Sequence, residues 1–174
     1  CHICVEHPGQ AQAGGLQVRA ASLNLPWVLN ADVARGAWLN EATAQMPVAV
    51  LGSAAAQRLG IDRVHHDQRI WLGGRWFHIA GILTSSPLEP EVDNSALIGY
   101  PAAREYLGYV SVVGGEREIG PPSSIYIRAD IDKVAAVQSL LARTADPEAP
   151  HEVDVSQPSD ALTARAAAAG AFDS

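Results

Sequence analysis

The densest cluster of metal-type ligands in this chain is His65-His66-Asp67, and the residue best placed to act as a nucleophile is Ser53, after Gly52. Adjacent histidines in an extended segment point to opposite sides, so they seldom share one ion, and a solvent-exposed loop is the expected setting. A nucleophile elbow needs glycines two places either side of its serine. Those places hold Leu51 and Ala55, so the pattern fails and Ser53 is expected to cap a helix. The acids Glu89, Glu91 and Asp93 lie in a proline-containing loop without the D-x-D-x-D-G spacing of a calcium site, and they read as solvated. Cys1 and Cys4, three apart on a strand, would face opposite ways, and a lone C-x-x-C is poor evidence for zinc or redox chemistry. No G-x-x-x-x-G-K-[ST] loop is present to cradle phosphate. The expectation is a chain with no catalytic residues, no cofactor and no metal.

What remains is aromatic. Gly73-Gly74 supplies the positive φ angles of a tight hairpin turn, which sets Leu72 opposite Arg75, Trp71 opposite Trp76, Ile70 opposite Phe77 and Arg69 opposite His78. Ile70, Leu72, Phe77 and Ile79 then share a core face. Arg69, Trp71, Trp76 and His78 share the other, and they are the candidate residues for contact with a partner. The other two tryptophans, Trp27 and Trp38, are expected to serve mainly in packing.

The hairpin belongs to the stretch over residues 47–83 around which the chain is organised. Residues 48–51 are an apolar, β-branched strand. Ala54 to Leu59 follow the Ser53 cap as a short helix, and Gly60 takes the left-handed position that stops it. Upstream, 3–6 and 16–21 read as strands, 24–30 as a proline-containing turn around Trp27, and 28–35 as a weak helix or loop closed by Gly36. Downstream, 101–107 is a helix opened by Pro101, and 108–123 is a connector with room for a small hairpin at Gly114-Gly115. A strand over 124–128 then leads to a helix with Ile131, Val134, Val137, Leu140 and Leu141 as its apolar positions. A second strand over 151–155 would complete a β-α-β unit, and an alanine-rich helix over 161–169 follows.

Composition narrows the class of partner. With 48% apolar residues the chain can bury a substantial core, yet its apolar runs fall well short of the ~20 residues that span a bilayer. A net charge of −7, with basic residues scattered singly, argues against nucleic acid and against electrostatic adhesion to anionic lipid. The sequence does not open with methionine or a signal peptide and reads as a piece of something longer.

Strand, Gly-Ser, a short helix ending Arg58-Leu59-Gly60, and the hairpin RIWLGGRWFHIAGIL together resemble the extracytoplasmic core domain of MacB/FtsX-type ABC transporter permeases. Ala34-Arg35-Gly36-Ala37-Trp38-Leu39 is similar to that family's Gly-Arg signature, with Ala37 where arginine is usual. Asn94 to Tyr100, followed by Pro101-Ala102-Ala103-Arg104, is similar to its strand-then-helix segment. The resemblance implies an α+β fold of two subdomains. One is a porter-like β-α-β part from 16–46 and 120–174; the other is a mostly β insertion over 47–100 with a short helix and hairpin. It further implies a non-catalytic extracytoplasmic domain, on the outer face of the cell membrane, in a permease that forms a homodimer. Such a domain couples ATP-driven motion of a cytoplasmic ATPase partner, through membrane helices outside this sequence, to a substrate or protein outside the membrane. Loops over 84–94 and 108–123 have the composition of hinges. A free-standing secreted binding module of similar fold is the alternative, and a hydrolase using the histidines is a third class.

Overall fold

Short aliphatic runs broken by glycine, proline and Asx residues yield many short strands and few long helices. The computed structural model describes residues 2–4, 12–13, 16–86, 89–113, 115–118 and 122–156. In chain order the strands are β1 (His2–Cys4), β2 (Gln12–Ala13), β3 (Leu16–Ala21), β4 (Val33–Gly36), β5 (Val48–Leu51), β6 (Arg69–Leu72), β7 (Arg75–Leu83), β8 (Ser95–Gly99), β9 (Ser111–Val113), β10 (Glu116–Glu118) and β11 (Ser124–Tyr126). The helices are α1 (Leu25–Leu29), α2 (Ser53–Arg58), α3 (Pro90–Asp93), α4 (Tyr100–Leu107) and α5 (Val134–Ala145). The chain is α+β and divides into two compact units, Pro8–Pro121 and Cys1–His7 with Pro122–Ser174.

The larger unit is built on a seven-stranded mixed sheet in the order β2-β3-β8-β5-β7-β4, with β6 also paired to β7. β3 runs parallel to β8 and β5 parallel to β7, while β5–β8, β4–β7 and β6–β7 are antiparallel. The inner strands β5 and β8 are buried along their whole length, which explains why VAVL and SALIG carry no alternation. β6 and the first half of β7 do alternate, one face in and one face out. At its far ends the sheet curls until β2 lies beside β6, with Cα atoms within 8 Å. Leu51, Leu72, Phe77 and Ile98 form the heart of the resulting core, and Ala55 and Ala103 bring α2 and α4 onto it.

Several expectations meet the structure directly. The hairpin register is Arg69↔His78, Ile70↔Phe77, Trp71↔Trp76 and Leu72↔Arg75, turned by Gly73 and Gly74 at φ +54° and +89°. α2 ends as expected: Gly60 is left-handed at φ +67°, its N–H donates to the Gln57 carbonyl (3.0 Å), and that of Ile61 donates to Ala56 (2.9 Å). These are the two bonds of a Schellman cap. The small hairpin at Gly114-Gly115 also forms, as β9 and β10.

Other segments differ. Gly52, not Ser53, occupies the N-cap position of α2, and Ser53 is its first helical residue with no capping hydrogen bond. The reason is tertiary. A Cβ on residue 52 would stand 2.3 Å from the Val92 carbonyl oxygen and 2.4 Å from that of Asp93, so only glycine fits there. Residues 28–35 split instead of forming one weak helix. α1 stops at the left-handed Asn30, and Val33–Gly36 is a strand on β7, tied on by mutual hydrogen bonds between Asp32 and Thr84. Leu16–Ala21 pairs with β8 inside the larger unit, whereas the sequence suggests it would join residues 120–174. Trp27 is 66% exposed, so packing does not account for it.

The smaller unit has β1 paired antiparallel to β11, then a 3-10 turn, Ile131–Lys133, running into α5. Val134, Val137 and Leu141, spaced i, i+3, i+7, point inward, while Leu140 falls outside that stripe and is exposed. The expected second strand over 151–155 is absent. Asp146 Oδ1 instead accepts from the amides of Glu148 (3.0 Å) and Ala149 (2.9 Å), and Pro150 opens the 3-10 turn Pro150–Glu152. An Asx turn followed by a proline holds the chain in turns despite the alternating Val153 and Val155. The helix expected over 161–169 and the residue Cys1 lie outside the described residues.

Candidate functional site

The most distinctive surface grows from the hairpin. Because opposite residues share a face, Trp71 and Trp76 meet on the side away from the core, with ring centroids 5.0 Å apart and planes at 71°, an edge-to-face pair. They are 52% and 54% exposed, whereas Phe77, one position on, is fully buried. Arg69, diagonal to Trp76, lays its guanidinium over that ring at 5.8 Å. His78, opposite Arg69, is exposed, and its backbone N–H donates to the Pro47 carbonyl (2.8 Å), which fixes Pro47 beside the pair.

Around the hairpin tip, α4 completes the surface. Tyr106 stands edge-on to Phe77 (6.2 Å, 89°) and receives the Arg75 guanidinium at 5.4 Å from its ring. Pro47, Trp71, Gly74, Arg75, Trp76 and Tyr106 line a groove of about 450 Å³. Among the described residues, no carboxylate pairs with Arg69 or Arg75. The arrangement offers flat aromatic faces, two guanidinium cations and the His78 imidazole, the makings of a binding surface. The sequence reading names Trp71, Trp76, Arg69 and His78, and the structure brings these four to one face. It misses Pro47, Arg75 and Tyr106. Arg75 sits opposite Leu72 on the core side, and only its place at the hairpin tip lets it reach Tyr106 and the groove.

The other candidates fall into structural roles. His65, His66 and Asp67 occupy an exposed turn before β6. Glu91 pairs with Arg19 of β3. Asp93 is buried and accepts from Ser85 Oγ (2.7 Å) and from the Ser86 amide (2.9 and 3.0 Å). The Glu91–Arg19 pair thereby ties α3 to the sheet, and Asp93 ties Ser85 and Ser86 to α3. A second recess of about 340 Å³ lies where β3 and β8 end, between Leu23, Ala44 and Tyr100. Burial, and then the neighbouring Tyr109, push the Tyr100 hydroxyl above its ordinary pKa. Among the described residues, no helix is long and apolar enough to cross a membrane, and no three His, Cys, Asp or Glu side chains gather as a metal site.

Comparison with known proteins places this surface on a known scaffold. The profile of the family described as the MacB-like periplasmic core domain matches residues 6–146. Among solved structures, the periplasmic region of MacB from Actinobacillus actinomycetemcomitans is similar in fold. It superposes with a TM-score of 0.58 at 13% identity, covering 94% of this chain and 73% of that one. The extracellular domain of the noncanonic ABC-type transporter YknZ from Gram-positive bacteria is also similar, with a TM-score of 0.53 at 11% identity over 89% of this chain and 74% of that one. No curated protein sequence matches.

Proposed function

The chain belongs to the family of MacB-like periplasmic core domains, and from that premise we propose that it is the non-catalytic extracytoplasmic domain of an ABC transporter permease, a lever between a cytoplasmic ATPase and something outside the membrane. The match over residues 6–146 carries the reading. The division into two compact units supports it, because a lever needs separate bodies, and the chain passes from one unit to the other twice. In this proposal ATP binding on the cytoplasmic partner shifts membrane helices flanking the domain, and the two units of each copy in a permease homodimer change their separation. The Trp71–Trp76 face, with Arg69 and His78, is the surface through which that motion meets an extracytoplasmic substrate or protein.

A distance measurement tests the lever. Spin labels at the exposed positions Gln57 and Ser139, one in each unit, are read by pulsed electron paramagnetic resonance in the complete transporter, diluted with unlabelled copies. The expected outcome is a shift in the distance distribution between nucleotide-free and ATP-trapped states. An unchanged distribution in a transporter that still hydrolyses ATP refutes it.

A further inference from the structure

We propose that the groove beside the Trp71–Trp76 pair docks an extended acidic segment of a partner protein, with an aromatic or prolyl side chain in the groove against the rings and carboxylates on Arg69 and Arg75. The proposal rests on the reading of this face as a contact surface and names the chemistry of what it meets.

Charge points first. The chain carries a net charge of −7, yet the two guanidiniums here lie on aromatic rings, Arg69 on Trp76 and Arg75 on Tyr106. Among the described residues, neither has a carboxylate partner. A local positive site on an acidic protein attracts an anionic ligand and repels other surfaces of its own sign. Shape points second. Pro47, Trp71, Trp76 and Tyr106 are apolar walls of a recess of about 450 Å³, within the range of roughly 300–1,000 Å³ typical of ligand pockets. Aromatic walls with a proline are the surface on which prolyl and aromatic side chains pack.

The same features decide against two other occupants. A second copy docked face to face through a two-fold axis would bring the same two-cation surface to both sides of the contact, which opposes association. A membrane surface is met by aromatic rings that reach outward. Here the two indoles pack edge to face on each other and wall a recess.

The test is a selection of random seven-residue peptides on the immobilised full chain, followed by synthesis of the winners. The expected winners are rich in Asp and Glu beside Pro, Phe, Tyr or Trp. They shift the indole N–H resonances of Trp71 and Trp76 and leave that of Trp38 in place. Trp71→Ala weakens them at least tenfold, and Arg69→Glu with Arg75→Glu turns the same selection toward basic peptides. All three altered residues are exposed, and circular dichroism verifies the fold of each variant. Neutral or basic winners on the native chain, acidic winners indifferent to Trp71→Ala, or no enrichment at all overturn the proposal. So do Trp71-dependent binding to phosphatidylglycerol vesicles without peptide enrichment, or self-association by sedimentation that Trp71→Ala abolishes. The selection uses the isolated chain and no ATP. The lever can therefore fail while the groove stands, and the reverse.

Discussion

At the scale of single residues, position 52 shows how a neighbour overrides a local rule. Serine is a good cap and glycine a middling one, yet Gly52 takes the cap of α2 because the backbone of Val92 and Asp93 lies against it. Two substitutions separate the explanations. Gly52→Ala is expected to destabilise by about 1–3 kcal/mol, the usual cost of overpacking. Ser53→Ala, which removes no capping bond, is expected to stay within about 0.5 kcal/mol of the native chain. Urea unfolding of both variants checks this, and the reverse ranking would restore Ser53 as the cap. Tyr100 supplies a second outcome. Its pKa in the fold is raised by burial and by Tyr109, so the unfolded chain gives up this proton first as pH climbs. The contribution is therefore full below pH about 10, the unfolded value, and is lost above it. Tyr100→Phe is expected to flatten the alkaline limb of a stability–pH curve, with no change at pH 7. An unaltered limb refutes the assignment.

At the scale of elements, what the sequence revealed depended on whether local pattern and tertiary need agreed. The hairpin was legible to the residue because a period of two and a Gly-Gly turn leave one register. With it came the Trp71–Trp76 pair, the core of the candidate site. Strand β4 was hidden because VARG has neither alternation nor β-branched density, and the bonds that hold it come from β7 and Thr84. The supposed strand over 151–155 misled in the opposite way, since its valines alternate but Asp146 and Pro150 shape the backbone. The groove walls Pro47 and Tyr106 come from segments far apart in sequence, so no local signal joins them. The elements should also differ in persistence. β5 and β8 are buried end to end at the middle of the sheet, whereas Leu141 is the one buried residue of α5 among the described residues. Amide exchange is expected to be slowest at Ala49–Leu51 and Ala96–Ile98 and orders of magnitude faster along α5. Equal protection of the two would contradict that ordering.

At the scale of the whole molecule, the chain leaves the smaller unit and returns to it, so the sheet-bearing unit is an insertion between two flanks. His2 pairs with Tyr126 and Cys4 with Ser124. The chain from residue 5 to residue 123 is thus a closed excursion behind this short ladder. Traction on the two outer flanks enters at His2 and Tyr126, the same end of the ladder. It peels the rungs one after another instead of shearing them together. The register alone thus sets this ladder to open rung by rung, from His2–Tyr126 inward to Cys4–Ser124.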